Sequence, residues 1–395
     1  MPKNIVILLD GTSNQISAKR TNVLRLYGTL KKSEEQLVYY DPGVGTFGAD
    51  TAFFAYWRKA VEILGLATGW GLDHNVKEAY RFLVENYERG EGGNGRDRIY
   101  IFGFSRGAYC ARVLAGFVHA FGLMEKRNLN LLDYVYRAYK DISGDDERKP
   151  DEADRERDKS FDEIRLHERI LAPDRPPIRL LGLFDTVATI IEHGYRGFRF
   201  RSHAFTKTNP SVESVRHAVA MHEKRTLYQA KLWPEDQPYR PNRFDANSAT
   251  PQDAREVWFA GAHTDVGGGQ PEAESQLAKI PLHWMIEQTR GMGLIYNTRT
   301  VNEIVLGANP EKRYVAPDPH AAMHARLNFL WSCVEFIPRR QRKTPGRFNF
   351  LGFTIPCFHG RTIPSDARIH RTVIERRDRG ATDIPPLPPD HRIEE

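Results

Sequence analysis

The sequence has few cysteines and no long apolar run. Cys110, Cys333 and Cys357 are its three cysteines among 395 residues, and their spacing fits neither a disulfide framework nor a metal site. We therefore expect structural thiols and folding in a reducing compartment. Because no apolar stretch reaches the roughly 20 residues that a membrane-spanning helix requires, we expect a soluble or peripheral protein.

The amino terminus also lacks the pattern of a signal peptide. The apolar run Ile5–Leu9 is too short for the core of such a peptide, and it ends in Asp10 instead of a small-residue cleavage site. We expect a protein that is cytoplasmic when made, and its export would need a route without a signal peptide. The run itself predicts a first β-strand.

A strong excess of one charge is absent as well. Lys and Arg total 57 against 51 Asp and Glu, which gives a net charge of +6 spread over the chain. Such a balance is typical of a solvated surface, and we expect no nucleic-acid partner. The compact basic run is interpreted as a solvated loop, with contact to phosphates or a membrane surface as the alternative. It consists of Arg339, Arg340, Arg342, Lys343 and Arg347.

The sequence does contain short apolar runs that stop at turns, and these alternate with segments of helical periodicity. The predicted strands are Ile5–Leu9, Leu37–Tyr40, Ile99–Phe102, Ile178–Phe184 and Val257–Ala260. This alternation predicts βαβ units and a mostly parallel sheet flanked by helices, within a single domain over residues 1–395. Residues 140–177 are interpreted as a charged excursion, and residues 192–250 and 298–361 as candidate cap insertions.

A glycine-bracketed serine provides the strongest chemical signal. The segment from Gly103 to Gly107 matches the nucleophile elbow G-x-S-x-G, with Ser105 between a predicted strand and a predicted helix. This context predicts an α/β-hydrolase-type fold with Ser105 as the nucleophile. An oxyanion hole would take one backbone N–H from Arg106 and one from the Asp10-Gly11-Thr12 turn, for which we assign Thr12.

A serine nucleophile needs a histidine base and an acid that orients it. In this fold the chain order is serine, acid, histidine, which excludes His74. We favour Asp265, on a glycine-rich loop, as the acid, and Asp185 is the alternative. His370 is the favoured base because it follows the last strand-like stretch. The remaining candidates are His193, His203, His217, His222, His263, His283, His320, His324 and His359.

Several blocks of the sequence resemble a known family. They are Leu9–Asn14, Phe102–Arg112, Gly182–Val187 and Trp258–Gly269, with shorter likenesses around His217 and His370. The chain is similar to the α/β-hydrolase-like proteins that include the catalytic domains of type VI secretion phospholipase effectors. The resemblance implies an α/β-hydrolase fold, a Ser-Asp-His mechanism on Ser105, Asp265 and His370, and hydrolysis of lipid esters.

The leading hypothesis is therefore a serine-dependent ester hydrolase of the phospholipase or lipase type, acting without a cofactor or metal. The expected partners are a lipid or other ester substrate, a membrane surface contacted peripherally, and an immunity or adaptor protein. An apolar cluster, Phe53, Phe54, Tyr56 and Trp57, could face lipid or pack in the core. Two alternatives stay open: a metal-dependent phosphoesterase using the strand-end acids Asp10, Asp185 and Asp265 with His263, and a non-catalytic hydrolase-like binding module.

Overall fold

The fold is known from a computed structural model that describes most of the chain. The described residues are 2–11, 19–43, 69–90, 95–142, 162–187, 191–194, 197–200, 203–241, 245–309, 311, 314–324, 332–333, 335–340 and 348–395. Thr12, the cluster Phe53–Trp57 and the central part of the predicted charged excursion lie outside them.

An eight-stranded sheet forms the centre of the molecule. Its strands, labelled in chain order, are β1 Asn4–Leu9, β2 Gln36–Asp41, β3 Arg98–Phe104, β4 Ile178–Phe184, β5 Val212–Ala220, β6 Asp253–Phe259, β7 Arg368–His370 and β8 Arg392–Glu394. Their order across the sheet is β8-β7-β6-β5-β4-β3-β1-β2. Every neighbouring pair is parallel. The predicted α/β-hydrolase-type sheet is confirmed.

Helices cover both faces of this sheet. They are α1 Asn22–Thr29, α2 Gly69–Asn86, α3 Arg106–Ala120, α4 Leu132–Ile142, α5 His263–Gly267, α6 Gln276–Arg290 and α7 Arg371–Asp378. Shorter helical turns span Lys126–Leu131, Thr226–Tyr228, Ala246–Ser248, Glu272–Glu274, Thr298–Thr300 and Val301–Val305. None of the described helices is both long and apolar enough to cross a membrane.

The apolar strands are continuous because both of their faces are buried. In β1, Ile5, Ile7 and Leu9 pack with α2, α3 and α4, whereas Val6 and Leu8 pack with α1 and α6 on the other face. Successive side chains of a strand point to opposite faces, so a strand covered on both sides needs apolar residues throughout. This requirement explains why β1 could be predicted from the sequence.

One predicted cap is wrong in part, because residues 192–250 contain the central strand β5. Its apolar run is interrupted by Arg216 and His217, which are buried nonetheless. Arg216 pairs with Asp253 (Nη2 to Oδ2, 2.7 Å), and His217 pairs with Glu256 (Nδ1 to Oε2, 2.8 Å). These contacts compensate the burial of polar groups, so a core strand can carry residues that resemble a surface segment.

Small antiparallel sheets lie outside the central one. Ile191–Gly194 pairs with Gly197–Phe200, and Pro238–Tyr239 pairs with Thr250–Pro251. A third sheet joins Arg339–Arg340, Phe348–Phe350 and Phe353–Ile355, and we call it the outer sheet. It falls within the predicted cap at 298–361, and whether it covers the crevice stays a prediction.

The strand order reverses between β1 and β3. The chain passes from β1 to β2 on one side and then returns to place β3 and all later strands on the other side. In an open parallel sheet, such a switch point opens a crevice at the carboxyl ends of the two strands. The crevice lies where β1 ends at Leu9 and β3 ends at Phe104, directly before Ser105.

Candidate active site

Ser105 occupies a sharp turn between β3 and α3. Its backbone angles, φ 58° and ψ −120°, lie in a region that residues with a side chain rarely adopt. The turn is held by a hydrogen bond from the Ser105 N–H to the carbonyl oxygen of Phe184, at 3.0 Å. Only 9% of Ser105 is exposed, so its hydroxyl lies at the rim of the sheet, above a packed core.

The glycines on both sides of Ser105 are required by close contacts. A Cβ atom at Gly103 would collide with the backbone of Gly107, and one at Gly107 would collide with the carbonyl oxygens of Leu9 and Asp10. The start of α3 therefore packs directly on the end of β1. The G-x-S-x-G pattern is thus a steric condition of this turn.

His263 lies against the serine. The Nε2 atom of its ring is 2.8 Å from Ser105 Oγ. The residue begins α5, after the short loop that follows β6, and its N–H donates to Glu223 Oε2 at 3.3 Å. Its ring packs between Phe104 and Tyr228, with centroid distances of 4.7 and 5.0 Å. These contacts fix the imidazole in the position from which it can accept the serine proton.

Asp185 completes the hydrogen-bonded chain. It follows β4 directly and has a φ of 43°. Its carboxylate is fully buried, and Oδ2 accepts a hydrogen bond from His263 Nδ1. Oδ1 accepts the N–H of Ala220 at 2.9 Å. Because a carboxylate facing Nδ1 keeps the proton on that nitrogen, Nε2 is left as the acceptor for Ser105.

The charge states of this pair follow from burial and from a nearby cation. Burial alone would raise the pKa of Asp185, but the Arg361 guanidinium and His263 together hold it well below its usual range. Burial lowers the pKa of His263 despite the opposing effect of Asp185. At neutral pH the histidine is therefore neutral and the acid is ionised, which are the states that a general base and its orienting partner need.

The structure does not place Asp265, the favoured acid, at this histidine. Its Oδ2 accepts the N–H groups of Ala262 and His324, both at 2.9 Å, and its Oδ1 lies 2.6 Å from His324 Nδ1. An acid in the first turn of a helix caps free backbone N–H groups, and Asp265 does so for α5. Of the two acids left open by the sequence, Asp185 is the one bonded to a histidine facing Ser105.

The predicted base His370 is likewise elsewhere, and this assignment is corrected. Its Nδ1 lies 2.8 Å from Thr372 Oγ1, and its ring stacks on Phe259 with a centroid distance of 4.6 Å. It caps α7 at the end of β7 and is buried. The late position of His370 in the chain suggested a base, but its side chain serves the start of a helix.

His263 was missed although the expected chain order of serine, acid and histidine holds for Ser105, Asp185 and His263. One signal for it was present. Each of the three residues lies at the carboxyl end of a predicted strand, now seen as β3, β4 and β6, and such ends meet at one edge of a parallel sheet. For choosing the histidine, its place at the end of a strand was therefore a better criterion than its late position in the chain.

Of the two residues predicted for an oxyanion hole, Arg106 lies within the described residues. Arg106 is the first residue of α3, where backbone N–H groups point out of the helix and favour negative charge. The Asp10-Gly11 turn lies beside it, because Gly107 packs on Asp10, and Asp10 Oδ1 accepts the N–H of Gly11 at 2.7 Å. Thr12 lies outside the described residues, so its role stays a prediction.

The strand-end acids do not converge as the metal hypothesis requires. Asp10 accepts hydrogen bonds from Thr21 and Tyr40, Asp185 bonds His263, and Asp265 bonds His324. Among the residues that the structure describes, no group of three or more His, Cys, Asp or Glu side chains could hold a metal ion.

Comparison with known proteins identifies a family, and three of the similar proteins are the following. An uncharacterised protein of Saccharomyces cerevisiae, YEL023C, is 32% identical over 258 residues, covering 61% of this chain and 34% of the yeast protein. An uncharacterised protein from Pseudomonas aeruginosa has a TM-score of 0.40 and 18% identity, covering 76% of this chain and 48% of its own. A Tle1 effector, solved bound to the VgrG spike of the type 6 secretion system, has a TM-score of 0.34 and 19% identity, covering 70% and 52%.

The chain thus spans about a third of the yeast relative and about half of each solved chain. The family model for the catalytic domain of the type VI secretion phospholipase effector, Tle1-like, matches residues 3–288. This match includes Ser105, Asp185 and His263, and it confirms the resemblance seen in the sequence. The chain belongs to the Tle1-like phospholipase effector catalytic domain family.

Proposed function

We propose that the chain hydrolyses acyl esters of lipids, as a phospholipase, with Ser105 as nucleophile, His263 as general base and Asp185 as the acid that orients the base. The observation that carries this proposal is the continuous chain of contacts from Ser105 Oγ through both ring nitrogens of His263 to Asp185. A histidine with a purely structural role needs no contact with a serine on a strained turn. The catalytic role accounts for all three residues at once.

The first half of the reaction forms an acyl-enzyme. Ser105 Oγ attacks the ester carbonyl carbon, and its proton moves to His263 Nε2. Asp185 stabilises the charge that develops on the imidazolium through its Nδ1 proton. The carbonyl oxygen becomes an oxyanion, for which the Arg106 N–H at the start of α3 is a donor. When the tetrahedral intermediate collapses, His263 returns the proton to the alcohol, which leaves.

The second half repeats these steps with water. His263 Nε2 accepts a proton from water as the water oxygen attacks the acyl carbon of Ser105. Collapse of this intermediate breaks the bond to Ser105 Oγ, which regains a proton from His263, and the free carboxylic acid departs. Since a neutral imidazole is needed for both attacks, the lowered pKa of His263 keeps the enzyme competent into mildly acidic solution.

A lipid substrate also accords with the apolar surface of the chain. Phe348, Phe350 and Phe353 of the outer sheet, with Leu351 in the turn between its strands, are between 51% and 81% exposed. Clusters of exposed large apolar side chains are uncommon on soluble proteins and mark sites that contact a partner or a membrane. We include a peripheral contact between the outer sheet and the lipid surface in the proposal.

The proposal is tested with p-nitrophenyl esters of short and long acyl chains, with phospholipid vesicles, and with a fluorophosphonate that reacts with activated serines. The wild type should hydrolyse at least one ester and take up the label. Ser105→Ala should lose the label and at least a thousandfold in kcat. Ser211→Ala serves as the matched control, because Ser211 contacts His119 away from the site, and it should behave as the wild type.

Each alternative gives a different result. A binding module would neither react with the fluorophosphonate nor cleave an ester. A metal-dependent phosphoesterase would lose its activity in EDTA, whereas the serine mechanism continues in EDTA. Equal activity of the wild type and Ser105→Ala would exclude Ser105 as the nucleophile.

A further inference from the structure

An arginine lies directly behind the acid of the proposed triad. Arg361 Nη1 donates to Asp185 Oδ1 at 2.5 Å, and its Nη2 donates to Oδ2 at 3.0 Å. The Arg361 side chain is 1% exposed and that of Asp185 is fully buried. This two-point contact fixes the plane of the carboxylate relative to the guanidinium.

The other donors of Arg361 are also used. Nη1 donates to the carbonyl oxygen of Ala220 at 2.8 Å, while Nη2 and Nε donate to that of Tyr228 at 2.5 and 3.2 Å. Together with the two bonds to Asp185, these contacts occupy all five N–H groups of the guanidinium. Arg361 therefore ties Asp185 to the end of β5 and to the turn that packs against His263.

We infer that Arg361 is a positioning residue of the Ser105–His263–Asp185 site, which clamps the carboxylate towards His263 and offsets part of its negative charge. The inference rests on the proposed function for its catalytic meaning, although the clamp itself is a property of the fold. The family match ends at residue 288, so this arm of the site comes from a part of the chain that the match does not include.

The clamp has two physical effects on His263. Asp185 has a positive φ and no exposure, so its carboxylate depends on fixed partners to hold its direction. Both oxygens of Asp185 are shared between Arg361 and another donor, His263 for Oδ2 and the Ala220 N–H for Oδ1. A carboxylate already paired with a cation attracts the imidazolium less than an unpaired one would. Arg361 therefore improves orientation and moderates the basicity of His263.

Other charged groups near His263 have partners apart from Arg361. Glu223 and Arg225 pair with each other, with Nη2 to Oε2 at 2.7 Å. Asp265 on α5 pairs with His324. The groups that face His263 or share its helix are Asp185, Glu223, Arg225, Tyr228 and Asp265, and Arg361 acts on His263 through Asp185. A change seen on replacing Arg361 alone therefore reports on the clamp.

The test measures the protonation of His263 directly, with no substrate present. The full-length protein is labelled with ¹⁵N-histidine and its ring resonances are titrated by NMR, the His263 signal being assigned by its loss in His263→Asn. Arg361→Gln should raise the pKa of His263 by about one unit, because the carboxylate loses its compensating cation. Arg361→Lys keeps the positive charge but loses the two-point contact with Asp185, and it should raise the pKa of His263 by a smaller amount.

Arg368→Gln is the matched control. Arg368 belongs to the same part of the chain and pairs with Glu235, at 2.9 Å, away from the triad. The His263 titration should be unchanged in this variant. A titration in Arg361→Gln that coincides with the wild type would overturn the inference. If Arg361→Gln does not fold, Arg361→Lys decides, and a wild-type titration with wild-type kcat in that variant would also overturn it.

Kinetics then separate a positioning role from a merely structural one. Arg361→Gln should lower kcat roughly ten- to hundredfold with little change in KM, because misorientation affects the reacting geometry more than lipid binding. Arg361→Lys should recover part of that loss. A fall in the amount of folded protein with unchanged kcat per labelled serine would contradict the inference. An inert wild type that takes up no fluorophosphonate refutes the proposed function instead, while the His263 titration still decides on the clamp.

Discussion

Buried charged side chains hold the acid end of the site in place. Arg112 is fully buried and donates to the carbonyl oxygen of Lys231 at 2.6 Å and to Thr186 Oγ1 at 3.3 Å. His217 Nε2 accepts the N–H of Thr186 at 3.2 Å, and its Nδ1 faces Glu256. The residue after Asp185 is thus bound from two sides. Hydrogen bonds from buried polar groups rigidify their surroundings, and here they hold the turn that presents the carboxylate.

The burial of His370 at the start of α7 makes the stability of the protein depend on pH. Burial, with a smaller contribution from Arg371, lowers the pKa of His370 to about 4. In the unfolded chain the pKa of this side chain is about 6.5. Between pH 6.5 and about pH 4, His370 is therefore protonated in the unfolded state but not in the folded state. The stability is therefore reduced as the pH falls from 6.5 towards 4, by about 2 kcal/mol at pH 5 for this group.

His370→Asn should reduce this pH dependence. Asparagine can still cap α7 but does not titrate, so the difference in free energy of unfolding between pH 7 and pH 5 should shrink by about 2 kcal/mol. Urea denaturation at the two pH values measures it. Fluorophosphonate labelling of Ser105 should persist in His370→Asn and be lost in His263→Asn. Loss of labelling in His370→Asn alone would restore the assignment made from the sequence.

The contrast between Ser105 and its partners shows what a sequence can reveal about single residues. The strand, turn and helix around Ser105 were predicted correctly because the nucleophile elbow is a local motif, with both glycines within two residues of the serine. His263 lies 158 positions from Ser105, and only its place after a predicted strand distinguished it from other histidines. Asp265 was preferred over Asp185 for its glycine-rich loop, but its partner His324 is 59 positions away. Pairings across such distances depend on how the strands are ordered in the sheet.

At the scale of secondary-structure elements, exposed apolar side chains are concentrated on one small segment. Of the ten exposed large apolar residues in the described part of the chain, six lie between residues 336 and 353. They are Phe336, Ile337, Phe348, Phe350, Leu351 and Phe353. Phe350 and Leu351 are the most exposed, at 76% and 81%, and they lie at the turn between two strands of the outer sheet. Apolar side chains that stay exposed to water do not contribute to the free energy of folding.

The double variant Phe350→Ser, Leu351→Ser tests whether this segment contacts lipid. If it does, binding to phospholipid vesicles and hydrolysis of vesicle lipid should fall at least tenfold, since two large side chains leave the interface. Hydrolysis of a monomeric p-nitrophenyl ester should not change. Vesicle co-sedimentation and lipid hydrolysis are the measurements.

Ile393→Ser is the control for replacing an exposed apolar side chain by serine elsewhere on the surface, because Ile393 is 58% exposed on the edge strand β8. It should bind vesicles as the wild type does. An equal loss in both variants would indicate a nonspecific effect of apolar surface. Unchanged vesicle hydrolysis in the double variant would remove the outer sheet from the proposed membrane contact.

Elements could be predicted where their pattern was simple. β1, β3 and β4 are mostly apolar because both faces of the sheet are covered there, and the sequence pattern predicted them. β5 was missed because Arg216 and His217 break its apolar run, although their partners Asp253 and Glu256 on β6 compensate both. These residues become partners because β5 pairs with β6 in parallel. That pairing cannot be deduced from the sequence of either strand alone.

On the scale of the whole molecule, the far end of the chain completes the sheet. β7 and β8 extend it beyond β6, and each is three residues long. Arg368, His370, Arg392 and Glu394 give these strands little apolar character, so the sequence pattern did not predict them. Their attachment is through the buried cluster of Trp258, Val219, Ile369 and Val373 with its neighbours. A third apolar core thus joins the family-matched region to the remainder.

This arrangement predicts the behaviour of a fragment comprising residues 1–288, which ends where the family match ends. The fragment lacks Arg361 and exposes Val219 and Trp258, which are buried in the full chain. Each large apolar side chain returned to water costs roughly 1.5–3 kcal/mol, and domains are stable by only about 5–15 kcal/mol. β6 would also become an unprotected edge strand, which favours aggregation.

We therefore expect the 1–288 fragment to show no cooperative thermal unfolding by circular dichroism and no fluorophosphonate labelling of Ser105. Adding residues 289–395 as a separate chain should restore part of both signals, because the missing strands and Arg361 can dock on β6 and Asp185. A fragment that unfolds cooperatively and labels as the full chain does would mean that the matched region folds and arranges its serine alone. In that case the contacts of Arg361 and the third core would be additions to a site that is already complete.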